Sequence, residues 1–252
     1  MILAIDVGNS DIVWGIYRAG HWLPEWRHPS SDYLNTEKTI RKKMEESEID
    51  FSELQRVVLS SVVPGITPYI IDLVRRITHR NPLVMGPELY QQIGMEIDNP
   101  WEIGSDLVAN AISGFEIAQD YCVVVDFGTA LTFTCVSDNG HIMGVSIAPG
   151  LKTAMNSLSL NTAQLPQVPL EIPPNALGKN TAHALQAGIM LGYVGLVKEL
   201  LMLIERDMGH PIKVLATGGL ARFMTPLHER FDLMDPMLTL EGLRLVAERT
   251  GS

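Results

Sequence analysis

Two versions of one short phrase govern what this chain can fold into: Asp6-Val7-Gly8-Asn9-Ser10 near the start and Asp126-Phe127-Gly128-Thr129-Ala130 near the middle. Each follows an apolar run, Ile2-Leu3-Ala4-Ile5 or Cys122-Val123-Val124-Val125, and each precedes a second one, at 11–17 or 131–136. A buried strand that ends in an acid, turns through glycine and returns as a second strand makes a hairpin suited to phosphate. The acid can hold a hydrated cation, the glycine lets backbone approach, and N–H groups with Ser or Thr hydroxyls donate to the oxygens. A single such turn is equally well a plain turn acid. Two of them, each opening one half of the chain, predict a duplicated fold that meets a nucleotide from both sides.

The 252 residues suffice for two similar domains, placed here at 1–118 and 119–252. With 46% hydrophobic and 19% charged residues the composition is that of a globular protein without a low-complexity tract. The start MILAIDVG has no basic leader region, and no apolar run reaches the roughly 18 residues of a membrane span, so a cytoplasmic protein without a membrane partner is expected. A net charge of −10 argues against a nucleic-acid groove. Anionic ligands must then be held locally, by backbone donors and a metal ion. Cys122 and Cys135 both lie in strand-like segments and read as a reduced core pair, a disulfide being the alternative. The seven histidines form no HExxH or His/Cys cluster, which leaves no zinc site in view.

The first half reads as strands at 2–8, 11–17 and 21–28, a charged helix at 36–47 with Asn35 as its cap, a buried strand at 56–64, a helix at 67–78, a short strand at 82–86 and a helix at 105–119. Three antiparallel strands followed by alternating helix and strand resemble the ribonuclease-H-like unit. The second half repeats the order with strands at 121–126, 131–137 and 141–147, a helix after Pro149-Gly150, a Pro-rich loop at 165–174, one long helix at 181–207, a strand at 213–216 and a final helix at 241–250. Competing motifs fail on spacing. Gly178-Lys179 lacks the first glycine of a P-loop, which would fall at Pro173, and neither GxGxxG after a strand nor GxSxG is present.

Eight blocks in order then carry a resemblance: DVGNS with Gly15, SSVVP at 60–64, NPWEIGSD at 99–106 with Asn110, DFGTALT at 126–132, APGL at 148–151, GKNT at 178–181 with Gly188 and Gly192, ATGGLA at 216–221, and LTLEGLRL at 238–245. On these the chain resembles the type III pantothenate kinases of the actin and sugar-kinase ATPase superfamily. The resemblance implies an α/β fold of two ribonuclease-H-like domains with mixed central sheets flanked by helices. It also implies ATP-dependent phosphorylation of the pantothenate hydroxyl, the first step of coenzyme A biosynthesis, in a homodimer that uses Mg²⁺ and K⁺ or NH₄⁺. By the family pattern Asp6 orients Mg²⁺ through water, Gly8, Asn9, Ser10 and Thr129 hold phosphate oxygens, and Asp126 binds the monovalent cation. Gly218 and Gly219 let adenine and ribose lie on bare backbone. Gly104, Ser105, Leu107 and Thr181 face the acceptor, Thr181 from the neighbouring subunit unless it only caps the long helix. Asp106 is the general base, or on its residues alone a helix-capping acid whose ionised form the helix dipole favours.

Three positions depart from the family pattern: Leu107 stands where Arg reaches the pantothenate carboxylate, Ile97 where Tyr is usual, and Thr134 where an acid often follows the second hairpin. Loss of a charge-assisted hydrogen bond costs roughly 1.5–3 kcal/mol and raises the Michaelis constant without stopping chemistry. Two other functions therefore stand beside pantothenate kinase: a kinase for a different hydroxylated acceptor, and a nucleotide-binding regulatory or accessory protein without catalysis. The retained Asp106 speaks against the last, since a protein that only binds nucleotide needs no base.

Overall fold

The structure, a computed structural model, describes residues 1–92 and 96–250. The chain forms two compact units, one made of Met1–Ser113 together with the segment from Met237 onward, the other of Gly114–Pro236.

The first unit is built on a mixed sheet of β1 (Ile2–Val7), β2 (Asp11–Arg18), β3 (His21–Trp22), β4 (Trp26–Pro29), β5 (Arg56–Ser61) and β6 (Leu83–Val84), in the order β3-β2-β1-β5-β6, with β4 also paired to β2. The third strand expected at 21–28 is split in two around Pro24, which has no N–H to give to a ladder. β1 runs antiparallel to β2 and parallel to β5, so that Asp6 lies opposite Val13 on one side and beside Ser60 on the other. Alternate β1 residues Leu3, Ile5 and Val7 enter a core with Ile40 and Met44 of α1 (Thr36–Glu46) and with Ile70, Leu73, Val74 and Ile77 of α2 (Thr67–Thr78). Asn35 makes no side-chain cap on α1. A 3-10 turn, Ser30–Asn35, runs straight into the helix and the Asn35 amide donates instead to Asp32. Two further helices follow β6: α3 (Pro87–Gln92), which the sequence reading did not foresee, and α4 (Ser105–Ala118).

The second sheet contains β7 (Cys122–Phe127), β8 (Ala130–Val136), β9 (Ile142–Pro149), β10 (Lys213–Thr217) and β11 (Leu233–Met234), in the order β11-β10-β7-β8-β9. It repeats the first: an antiparallel hairpin whose first strand is flanked by a parallel strand, here with Asp126 opposite Thr132 and beside Thr217. The two acids therefore occupy equivalent places in equivalent ladders, each with a hydroxyl residue as its parallel neighbour. The Cys pair divides between the faces of this sheet, because Cys122 lies opposite Val136 while Cys135 lies opposite Val123, one residue out of phase. Both thiols are free, and burial pushes them up to about 12 and about 11.

Around the second sheet lie α5 (Leu151–Asn161) and the continuous helical stretch Thr181–Met208, which comprises α6 (Thr181–Gln186), a π turn (Ala187–Leu191) and α7 (Gly192–Met208). Tyr193, Val197, Leu201 and Ile204 recur at helical spacing and pack on Val123, Val125, Phe127 and Phe133. Burying each aliphatic side chain of that row stabilises by about 1.5–3 kcal/mol. By length and composition alone the stretch is long and apolar enough to cross a membrane, a test that core helices also pass, and it contains no unbroken apolar run of 18 residues. The last helix, α8 (Leu238–Arg249), packs with the first unit. Arg56 donates to the Ala247 carbonyl at 2.5 Å, and Trp22 Nε1 donates to Glu241 at 2.8 Å.

Candidate active site

In the first unit the site grows from the end of β1. The turn after Asp6 is closed by Gly8 N–H donating to the Asp11 carbonyl at 3.0 Å, and it is held from below by Ser30, whose hydroxyl donates to the Gly8 carbonyl at 2.6 Å and whose N–H donates to the Ser10 carbonyl. Asn9 and Ser10 are left exposed at the tip. Beside Asp6 in the ladder, Ser60 shares a hydrogen bond of 2.9 Å with the Ser105 hydroxyl. That hydroxyl also accepts from Ser61 N–H at 3.0 Å and contacts the Ser61 carbonyl at 3.2 Å. The first turn of α4 is thus clasped to the end of β5, which fixes Asp106, the next residue, at the same sheet edge as Asp6.

Asp106 is half-buried. Its Oδ1 accepts from the Leu107 N–H at 2.9 Å, and Gly104 makes room for that oxygen, since a Cβ at position 104 would lie 2.5 Å from it. Burial raises the carboxyl above the ordinary aspartate range, and the backbone N–H groups of Leu107 and of Asp106 itself pull it part of the way back. Desolvation therefore outweighs the helix terminus, and the group is a stronger base than a solvated aspartate. Leu107 turns inward and is 8% exposed. Ile97 is half-buried.

In the second unit the equivalent turn is held by α5. The Thr129 carbonyl accepts from Gly150 N–H at 3.0 Å and from the Thr153 hydroxyl at 2.7 Å, which leaves the Thr129 side chain at an exposed tip. Directly paired residues of neighbouring strands point to one face, so Asp126, Thr132 and Thr217 form a row of oxygen donors. The Thr132 and Thr217 hydroxyls are buried and have no hydrogen-bond partner among the described residues. A hard monovalent cation fits such a donor set. Gly218 follows with φ +88°, and a Cβ there would lie 2.5 Å from Asp126 Oδ1, so the backbone can pass over the acid only as glycine. Gly219 beyond it is exposed. Among the described residues no group of three or more His, Cys, Asp or Glu side chains could hold a metal ion. Mg²⁺ carried largely by water and phosphate needs no such cage, and Asp6 suits that manner of binding.

Thr181 stands apart from these groups. The cap of α6 is Asn180, whose side chain accepts from His183 N–H at 2.9 Å, and Thr181 is the first helical residue. It lines a pocket of about 400 Å³ with Leu158, Leu165, Ala184, Leu185 and Ile189.

A family model for type III pantothenate kinase matches residues 2–202. The type III pantothenate kinase of Moorella thermoacetica is 41% identical over 253 residues, covering 99% of this chain and 99% of that one. The chain belongs to the type III pantothenate kinase family. A second relative, the type III pantothenate kinase of Citrifermentans bemidjiense, is 38% identical over 260 residues with 99% of each chain covered. Among solved structures, one described as a 2-dehydro-3-deoxygalactonokinase from Sinorhizobium meliloti covers 100% of this chain and 97% of its own with a TM-score of 0.60 at 11% identity, a likeness of fold alone. The fold is that of the actin and sugar-kinase ATPases, as the family resemblance implies.

Sequence reasoning missed one link in this candidate site. Ser60 reads as a strand-end hydrogen-bonding residue, and only the register shows that it links Asp6 to the turn that carries Asp106.

Proposed function

We propose that Asp106 is the general base of the activity that membership of this family gives the chain, ATP-dependent phosphorylation of the hydroxyl of pantothenate at the first step of coenzyme A biosynthesis. The protein is a phosphotransferase with an alcohol acceptor. The acceptor oxygen attacks the γ-phosphorus, the bond from that phosphorus to the bridging oxygen breaks, ADP leaves, and the hydroxyl proton passes to Asp106. Because the transition state is loose, positioning and charge neutralisation carry most of the catalysis. Asn9, Ser10 and Thr129, exposed at the tips of two braced turns, donate to phosphate oxygens, and Gly8, Gly218 and Gly219 admit the nucleotide against backbone. Asp6 orients the hydrated Mg²⁺, which neutralises phosphate charge when bound. Asp126 with Thr132 and Thr217 holds K⁺ or NH₄⁺. In this reading the enzyme works in the cytoplasm, where ATP is at hand.

The observation that carries this reading is the Ser60–Ser105 clasp, which fixes a desolvated carboxylate beside the strand end that bears Asp6. In this reading the enzyme is a homodimer, and Thr181 meets the acceptor bound to the partner subunit. Support comes from the second unit's exposed Ile147, Leu160, Leu177 and Met202, and from the apolar stretch Thr181–Met208, only 22% of whose most apolar window is buried within the chain.

A second reading concerns the acceptor. No Lys or Arg occurs between Arg80 and Lys152, and Leu107 is buried, so the segment that carries Asp106 offers an acceptor carboxylate no cation. Coupled ADP release with Mg²⁺ and K⁺, titrating pantothenate and its neutral amide in parallel, separates the two. Turnover of pantothenate with the lower Michaelis constant supports the first reading, and preference for the amide supports the second. ATP binding without transfer to either acceptor would overturn both and leave a non-enzymatic nucleotide-binding role.

A further inference from the structure

Two of the sequence features that carry the family resemblance have no part in the phosphoryl-transfer scheme: Asn110, beyond the Gly104-Ser105-Asp106 turn, and the block LTLEGLRL at 238–245. The fold of the first unit joins them. Thr239, in the first turn of α8, donates its hydroxyl to Asn110 Oδ1 at 2.8 Å, and Asn110 is wholly buried. Further along α8, Gly242 lies so close to α4 that an added Cβ would run into the Ala109 carbonyl, so one helix rests directly on the backbone of the other. The same α8 also reaches the hairpin that bears Asp6. Leu240 fills the space left by Gly15 of β2, where a Cβ would lie 2.7 Å from Leu240 Cδ1, and Glu241 accepts from Trp22 Nε1 at 2.8 Å. Residues 106, 109 and 110 are three and four apart, so they share one face of α4. The Ser105 clasp holds the start of α4 to the end of β5, a pivot about which a helix can still swing and turn. A second contact one turn further along, away from the helix axis, removes that freedom. The direction in which Asp106 projects is therefore set by what α8 holds at positions 109 and 110.

We propose that Thr239 and Asn110 are positioning residues for Asp106: α8 is a strut between the β1–β2 hairpin and α4, and the Thr239–Asn110 bond fixes the rotation of α4 that aims the Asp106 carboxylate at the acceptor hydroxyl. The inference rests on Asp106 being the general base. A hydroxyl and an amide suit the task, because they lock the helix without placing a charge near the carboxylate that would alter its basicity. Precision of this kind matters to transfer, since misplacement by about 1 Å can cost roughly 10²-fold in rate.

The test follows kcat with pantothenate, KM for ATP and melting temperature in wild type, Thr239→Val, Thr239→Ser, Asp106→Asn, and Thr239→Val combined with Asp106→Asn. Ile77→Val, a substitution in the core under α2, controls for lost stability. Thr239→Val keeps the shape of the side chain, loses the donor and is expected to lower kcat about 10-fold with KM for ATP unchanged. Thr239→Ser keeps the hydroxyl and is expected to restore most of that loss. In the Asp106→Asn background the valine is expected to cost nothing further, because a positioning residue acts only through the group it positions. A merely structural threonine would lower both proteins alike. Thr239→Ala, which asks no room for a second methyl, keeps the test open should Thr239→Val fold poorly. Unchanged kcat in Thr239→Val, an equal fall in Ile77→Val, no rescue by Thr239→Ser, or the same fall again on top of Asp106→Asn would each overturn the role of the pair. Wild-type turnover by Asp106→Asn would instead overturn the assignment of the base, independently of Thr239.

Discussion

Asp106 carries two opposed demands, and burial decides between them. A carboxyl whose folded-state pKa is raised above its unfolded value binds its proton more tightly when folded, so the stability it contributes is full below the unfolded pKa and is lost as pH rises through the folded one. At neutral pH the ionised group is therefore a burden on the fold, kept for chemistry. Asp106→Asn, which retains an oxygen for the Leu107 N–H, is expected to melt at a higher temperature than wild type at pH 7, with the difference closing as pH falls toward the unfolded carboxylate range. The same variant is expected to lose at least about 10²-fold in kcat, the usual scale of general-base catalysis. Calorimetry at pH 4 and 7 beside the ADP-release assay checks both; a variant less stable at pH 7 would mean that the backbone N–H groups, not desolvation, govern the site. In wild type kcat/KM is expected to fall on the acid side at a pH above the normal aspartate range.

Short side chains at strand ends hold the elements of the site in place. Ser105→Ala removes the bonds to Ser60 and Ser61 together, and a buried N–H left without its partner costs about 1–3 kcal/mol. Thermal or urea unfolding should report that loss, and kcat should fall while KM for ATP holds, because the turn that loosens is the one carrying Asp106. A loss of ATP affinity equal to the loss in kcat would show that the clasp serves the nucleotide instead. In the second unit Gly218→Ala meets Asp126 Oδ1 at a left-handed backbone position, and equilibrium binding should show weaker ATP affinity with monovalent-cation activation diminished. The same elements show what the sequence could disclose. Both hairpins, the helix carrying Asp106 and the long second-half helix were legible because apolar periodicity runs through them. The split at Pro24, α3 and β11 were not, since two to six residues hold no full period and their places are set by tertiary contacts. Asn35 holds the cap position of α1 as the sequence reads, but its side chain donates to Asp32 rather than capping the helix. Donors that depend on register, such as Thr132 and Thr217 beside Asp126, appear only once strands are paired.

For the molecule as a whole, the decisive quantity is apolar surface that one chain cannot cover. Leu160 and Leu177 are 80% and 85% exposed, Ile147 and Met202 stand out with them, and all four belong to the second unit, which also carries the under-buried stretch Thr181–Met208. If these residues lie on one face, that face is large enough for a partner to cover. A second copy would cover it by a two-fold contact of one patch with itself and bring a Thr181 from each chain to the other's acceptor. Sedimentation velocity at micromolar concentration is expected to give twice the chain mass. Leu160→Glu with Met202→Glu is expected to yield a monomer with KM for pantothenate raised at least 10-fold and KM for ATP nearly unchanged, because the nucleotide groups assigned here do not include the partner's residues. A wild-type monomer that floats with lipid vesicles would assign the apolar stretch to a membrane. A monomeric variant with unaltered acceptor kinetics would place Thr181 outside the acceptor site and leave the apolar face a purely structural seam.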